Sequence, residues 1–104
     1  MKKIIKPRDI DLPKGIKRIW IPGWSAISQS IAWAIVAACW QSNAWKALSL
    51  QDISKHADDL RAQIIVGMVD SFFQREEYLD LVSYRYIPTQ KFINACFETQ
   101  PVKK

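Results

Sequence analysis

Apolar residues recur through the middle of the chain with the three- and four-residue spacing that is typical of amphipathic helices. This pattern predicts a first helix over residues 26–41, with Ser25 as its N-cap. A second, short helix is predicted over residues 50–57, after Ser49, and a third over residues 60–74. An acidic pair separates the second and third helices, which together have the pattern of a helix-turn-helix.

The first and third predicted helices have more apolar surface than one core covers. Apolar side chains occupy two faces of the first helix and an unusually wide arc of the third. On the first helix, the face away from the core must pack against residues 20–24 or against a second subunit. We expect one of these surplus surfaces to form a homodimer. The predicted interface residues are Trp33, Trp40, Val66, Val69 and Phe73.

The segment after the third helix has the alternation of a β-strand over residues 79–87. Residues 91–98 then either return as the second strand of a hairpin, which we favour, or form a short helix capped by Thr89. The hairpin version places Arg85 and Lys91 near the tip of a wing. The predicted fold class is mainly α with a small β-hairpin, in the order of a winged helix-turn-helix.

Positive charge is concentrated at the start of the chain. Residues 1–18 contain seven basic residues and two acidic ones, so this segment accounts for the whole net charge of +5, and residues 19–104 are neutral. Such a segment fits a basic arm that neutralises DNA phosphates, or a tail that only keeps the protein soluble. We therefore predict an arm over residues 1–18, a winged-helix domain over 19–98 and a tail over 99–104.

The third predicted helix has a narrow polar stripe and one basic residue near its start. Gln63 can donate to and accept from an adenine edge in the major groove, and Arg61 lies where recognition helices usually touch bases. Asp70, on the same stripe, repels phosphate. Affinity must therefore come from phosphate contacts outside this helix. These are predicted for Lys2, Lys3, Lys6, Arg8, Lys14, Lys17 and Arg18 in the arm, and for Arg85 and Lys91 in the wing.

Several features lie along the predicted helices and strand in a recognisable order. Trp40 lies in the first helix, Trp45 follows that helix, and Asp52 begins the pair Asp-Ile early in the second. The third helix contains DLRAQIIVGMV, and the strand contains SYRYI. In these features residues 31–86 resemble the CaiF/GrlA family of enterobacterial transcriptional activators, which are small winged-helix proteins. The resemblance implies a winged-helix fold and transcriptional activation on double-stranded DNA.

Other classes of function have little support in the sequence. His56 is the single histidine, and the sequence contains no glycine-rich phosphate loop, paired catalytic carboxylates or Cys/His metal spacing. We therefore expect no enzymatic activity, metal or cofactor. The most apolar run, residues 31–40, is far shorter than the ~20 residues that span a bilayer, so we expect no membrane partner.

Cys39 and Cys96 are expected to be buried thiols of a cytoplasmic protein, with a disulfide as the minor alternative. An alternative function to DNA binding remains open. In that reading, the winged-helix scaffold is a protein-interaction module, and the apolar flank of its third helix binds another protein.

Overall fold

The computed structural model describes residues 5–12 and 17–99, with the backbone alone for residues 98 and 99. Within these ranges the chain is mainly helical and contains one two-stranded antiparallel hairpin, as predicted. Helix α3 continues into one turn of π-helix. The elements are α1 (Ala26–Trp40), α2 (Leu50–His56), α3 (Ala62–Met68), the π-helical turn (Val69–Gln74), β1 (Leu79–Val82), β2 (Arg85–Pro88) and α4 (Gln90–Thr99).

Helix α1 is the centre of the core. Ser25 caps it as predicted, because its hydroxyl accepts a hydrogen bond from the backbone N–H of Ser28 at 3.1 Å. The side chains of Ile31 and Ile35 are completely buried. Ile10 and Ile19, from the segment before α1, are also completely buried and belong to the same core.

A buried glutamine fastens the preceding segment to α1. The side-chain oxygen of Gln29 accepts a hydrogen bond from the N–H of Ile21 at 3.2 Å, and its amide nitrogen donates to the carbonyl of Trp24 at 3.0 Å. Both polar ends of this buried side chain are therefore satisfied. Of the two coverings considered for α1, residues 20–24 pack against the helix through these two hydrogen bonds.

The N-terminal segment packs on the domain over residues 5–12. Pro7 and Ile10 are buried, and the indole N–H of Trp45 donates to the carbonyl of Ile5 at 2.8 Å. The guanidinium of Arg8 donates from Nε to the carbonyl of Trp40 and from Nη2 to that of the next residue, both at 2.8 Å. These two bonds satisfy carbonyls at the C-terminal end of α1, where helices have unpaired acceptors.

Helices α2 and α3 follow each other in the predicted order. Ser49 and Asp52 form a capping box at the start of α2, with side-chain to backbone distances of 3.1 and 3.0 Å. Ile65 on α3 is completely buried. Val69 and Phe73 in the π-helical turn are also completely buried, so their prediction as dimer-interface residues is wrong.

Aromatic packing explains why the apolar arc of the third helix is so wide. Phe73 lies edge-on to Trp24, with ring centroids 5.5 Å apart, and Trp24 also packs against Phe72 at 5.1 Å and Tyr78 at 4.9 Å. Such edge-to-face pairs add to the free energy gained by apolar burial. The surplus apolar surface of this helix is therefore covered within one chain on this side.

The hairpin turns inside the segment that was predicted as one strand. Leu79 pairs with Pro88, and Val82 pairs with Arg85, so Ser83 and Tyr84 form the two-residue turn. Both turn residues have positive φ, 50° and 65°, as a type I′ turn requires. The prediction missed this turn because its residues are not the glycine or asparagine that usually adopt this backbone geometry.

A single bridge joins the hairpin to the loop between α1 and α2. Leu48 and Tyr86 exchange two backbone hydrogen bonds, each 2.7 Å long. Leu48 is completely buried. The bridge fixes the hairpin beside the N-terminal end of α2.

The last described segment is a helix. The predicted second strand over residues 91–98 is wrong, and the helical alternative is confirmed by α4. Thr89 acts as its cap, because its hydroxyl accepts from the N–H of Phe92 at 3.3 Å. Phe92 and Cys96, four residues apart, are both completely buried, which is the spacing of a helix face and not of a strand.

Candidate nucleic-acid interface

The outward face of α3 is the centre of the candidate site. Ile65 points into the core, which leaves Arg61, Gln63, Val66 and Gly67 exposed. A Cβ built on Gly67 would meet no atom within 4 Å, so this part of the helix surface is open. The predicted base-reading residues, Arg61 and Gln63, are therefore accessible, and they lie at the N-terminal end of α3.

The basic segment before α1 lies beside the turn that precedes α3. The Nζ atom of Lys17 is 2.9 Å from Oδ1 of Asp58. Lys17 and Arg18 also line a surface cleft of about 490 Å³ together with Leu60. Two of the predicted phosphate contacts are thus brought to the same end of the molecule as Arg61.

The ion pair between Lys17 and Asp58 is exposed on both sides and is worth little in stability. The hydrogen bond from Lys17, together with its charge, lowers the pKa of the Asp58 carboxyl. The same hydrogen bond raises the pKa of Lys17. Both groups therefore stay charged at neutral pH, and the amine is held in place near the start of α3.

The hairpin lies against the other end of the third helix. The hydroxyl of Tyr86 donates to Oδ1 of Asp70 at 3.1 Å. Burial is the largest cause, and this hydrogen bond the second, of a raised pKa for Tyr86. The bond also engages the one carboxylate that α3 and its π-helical turn would present to DNA.

Two basic side chains act on the N-terminal turn of α2. The backbone N–H of Ser49 is the main cause of a lowered pKa at Asp52, and the positive charges of Arg85 and Lys46 lower it further. Arg85 follows the hairpin turn directly and is exposed. The structure therefore brings Arg85, which was predicted, together with Lys46, which the sequence analysis missed because it lies in a loop without a motif.

The hairpin has an apolar outer surface that the sequence analysis also missed. Tyr84 at the turn is 93% exposed, and Leu81 and Val82 on β1 are 49% and 54% exposed. The alternation used to predict the strand assigned these side chains to a single long strand. The turn at residues 83–84 instead makes them a tip.

Three of the predicted phosphate contacts lie outside the described residues, namely Lys2, Lys3 and Lys14. Lys6 is exposed. The prediction for Lys91 as a wing residue is wrong, because it belongs to α4, donates to the carbonyl of Glu76 at 2.7 Å and lies 4.6 Å from the ring centre of Tyr78. Two of the guanidinium nitrogens of Arg8 are engaged at the end of α1, a structural role that the sequence did not indicate.

The remaining predicted dimer residues are only partly accessible. Trp33 and Trp40 are half-buried against the core, and Val66 on α3 is 39% exposed. The indole N–H of Trp33 is buried and has no hydrogen-bond partner within the described chain. These three residues remain predictions for a dimer interface.

Side chains suited to other chemistry are scattered. In residues 5–12 and 17–99, no three His, Cys, Asp or Glu side chains come together as metal ligands. No helix in the same ranges is long and apolar enough to span a membrane. Burial, followed by the charge of Lys55, lowers the pKa of His56. Cys39 and Cys96 are buried thiols that do not form a disulfide, as predicted.

Comparison with known proteins gives no further constraint on function. No protein-family model, curated protein or solved structure matches this chain.

Proposed function

We propose that this protein is a winged-helix transcriptional regulator that binds double-stranded DNA in the cytoplasm. The order of its elements supports this proposal: a helix, a bridging residue at Leu48, the pair α2 and α3, and then the hairpin β1–β2. Winged-helix proteins insert the second helix of such a pair into the major groove.

One observation carries the proposal. The exposed N-terminal end of α3, with Arg61 and Gln63, lies beside Lys17 and Arg18. Arg85 lies on the hairpin, which contacts the other end of the third helix. The side chains on α3 can contact base edges, and the basic side chains around it can contact phosphates. The open surface at Gly67 allows the helix to approach the groove closely.

The division between affinity and sequence preference provides the test. Binding to a random duplex is measured by fluorescence anisotropy over a range of salt concentrations. Replacing Arg18 with Gln should weaken binding to all DNA sequences. It should also reduce the slope of log affinity against log salt concentration by ~0.9 for each lost phosphate contact. Replacing Gln63 with Ala should instead reduce the difference in binding free energy between preferred and other DNA sequences, by ~1–3 kcal/mol for a bidentate contact.

The matched control is Lys91→Gln, which removes the same charge from α4. It should leave both the affinity and the salt slope unchanged, because its ammonium is engaged by Glu76 and Tyr78. The proposal fails if the unmodified protein binds duplex DNA without salt dependence, or if the Lys91 and Arg18 variants lose affinity equally.

The exposed hairpin supports a second candidate function, a protein-interaction module on the same scaffold. Tyr84, Val82 and Leu81 present an apolar surface, and such surfaces are enriched at protein interfaces. If this second function is correct, Tyr84→Ser leaves the affinity for DNA unchanged and abolishes binding of the protein partner. A steep salt slope on duplex DNA that depends on Arg18 argues for the first function.

The homodimer is proposed on the three predicted interface residues that remain partly exposed. Either Trp33 and Trp40 on α1 or Val66 on α3 would form the contact, and in the first case the outward face of α3 stays open to DNA. At a protein concentration of tens of micromolar, a dimer whose Kd is ~1 μM would be populated and would be detected by sedimentation velocity. A single monomer boundary over that range would contradict the proposal.

A further inference from the structure

A second pocket lies where the start of α1 meets the π-helical turn. Its volume is about 350 Å³, at the lower end of the range for small-molecule sites. Its apolar wall is formed by Trp24, next to the turn that precedes α1, together with Met68 and Phe72. Ser71 and Arg75 also line the pocket.

The lining combines a flat apolar wall with one cation. The rings of Trp24 and Phe72 pack edge to face at 5.1 Å, and Met68 adds a flexible thioether beside them. Phe72 is also held by Tyr78 at 5.6 Å. These contacts fix the wall before any ligand enters, which lowers the cost of ordering a bound ring.

The guanidinium of Arg75 is largely available. Its nearest carboxylate oxygen, on Glu76, is 3.8 Å away, which is too long for a hydrogen bond. The Ser71 hydroxyl is exposed and makes no hydrogen bond within residues 5–12 and 17–99. A guanidinium fork matches a carboxylate in a bidentate geometry that a lysine cannot provide.

The backbone at this place is unusual. Ser71 and Phe72 lie in the π-helical turn, the wide single turn that commonly marks functional positions in helices. The buried neighbours Val69 and Phe73 anchor the same turn to the core. The turn thereby presents a hydroxyl and a ring to one pocket.

We propose that this pocket binds a small aromatic carboxylate, with the ring against the wall formed by Trp24, Phe72 and Met68 and the carboxylate on Arg75 and Ser71. The site belongs to the π-helical turn that continues α3, so an occupant would contact the helix assigned above to base reading. The binding step itself does not depend on that assignment.

The test uses benzoate with the full-length, ¹⁵N-labelled protein at constant pH and ionic strength. Saturable shifts are expected at the backbone amides of Gly23 and Ser71 and at the Arg75 Nε–H, with a Kd of ~1 mM or below. Acetate has the charge without the ring, and benzyl alcohol has the ring without the charge. Each should bind at least about tenfold more weakly than benzoate, because one of the two contacts is lost.

Two variants separate this site from non-specific binding. Arg75→Gln should weaken benzoate binding about tenfold or more, while Lys55→Gln, which removes an exposed charge from α2, should not change it. Because both side chains are exposed, neither change threatens folding. The proposal is overturned if no shift saturates up to about 10 mM benzoate. It is also overturned if inorganic phosphate or benzyl alcohol binds as tightly as benzoate, or if the two variants behave alike.

Discussion

Arg8 offers a sharp test of the structure, because the sequence and the structure give it different roles. The charge pattern predicts a phosphate contact, whereas in the structure Arg8 caps α1 with two hydrogen bonds of 2.8 Å to the carbonyls of Trp40 and Gln41. Arg8→Ala removes both bonds. The Trp40 carbonyl keeps its bond from the N–H of Asn43 at 3.1 Å, and the Gln41 carbonyl is left to water. The backbone bond from Arg8 to the side chain of Asn43, at 3.1 Å, does not depend on the substituted side chain.

The expected loss follows from the kind of bond and its exposure. A hydrogen bond to a charged group contributes about 1.5–3 kcal/mol, and a cation at a helix C-terminus about 0.3–1 kcal/mol. Arg8 is exposed, so water replaces much of what is lost, and solvent screens its charge. We expect the free energy of unfolding to fall by about 1–2 kcal/mol. For a domain of this size that corresponds to a fall in Tm of roughly 5–10 °C.

The assay combines thermal unfolding with salt-dependent DNA binding. Arg8→Lys keeps the charge but not the fork, and should recover about half of the lost stability. Lys6→Ala removes an equal charge two residues away and should leave the Tm unchanged. An Arg8→Ala variant with unchanged Tm but a salt slope reduced by ~0.9 would refute the capping role and restore the phosphate contact.

The remaining predictions concern the core, one tyrosine and the thiols. Phe73→Ala should lower the free energy of unfolding by ~3–5 kcal/mol in urea titrations, because it leaves a cavity in the aromatic cluster; a loss below ~1 kcal/mol would place this ring on the surface. The pKa of Tyr86 is raised, so the folded state favours the protonated phenol. The stability that this group contributes is fully present below pH 10, the ordinary pKa of a tyrosine, and is lost as the pH rises above that value. Tyr86→Phe should flatten that alkaline fall in Tm, and identical pH profiles would contradict the linkage. Burial raises the pKa of the thiols of Cys39 and Cys96, so both should resist a thiol reagent at neutral pH until the chain unfolds; rapid labelling of the native protein would count against their burial.

Local sequence determined the bounds of α1 and α2. Ser25 and Ser49 are caps whose hydroxyls bond to amides only three residues away, so their role is visible in the sequence itself. The periodic apolar residues between such caps place α1 and α2 within one or two residues of their predicted bounds. The order of α2 and α3 and the exposure of Arg61 and Gln63 follow from the same short-range pattern.

Tertiary structure decided everything that depended on contacts between distant residues. The bonds from Arg8 span more than thirty positions, and the bridge from Leu48 to Tyr86 also joins segments far apart in the chain, so no local pattern contains either. The turn at Ser83 and Tyr84 is held in positive φ against local preference by the pairing of β1 with β2. The spacing of apolar residues showed that the third helix must pack against other apolar side chains. The same periodicity carries no information on which segment of the chain supplies those side chains. Packing against Trp24 from the chain's own N-terminal side, and not a second subunit, buries Phe73.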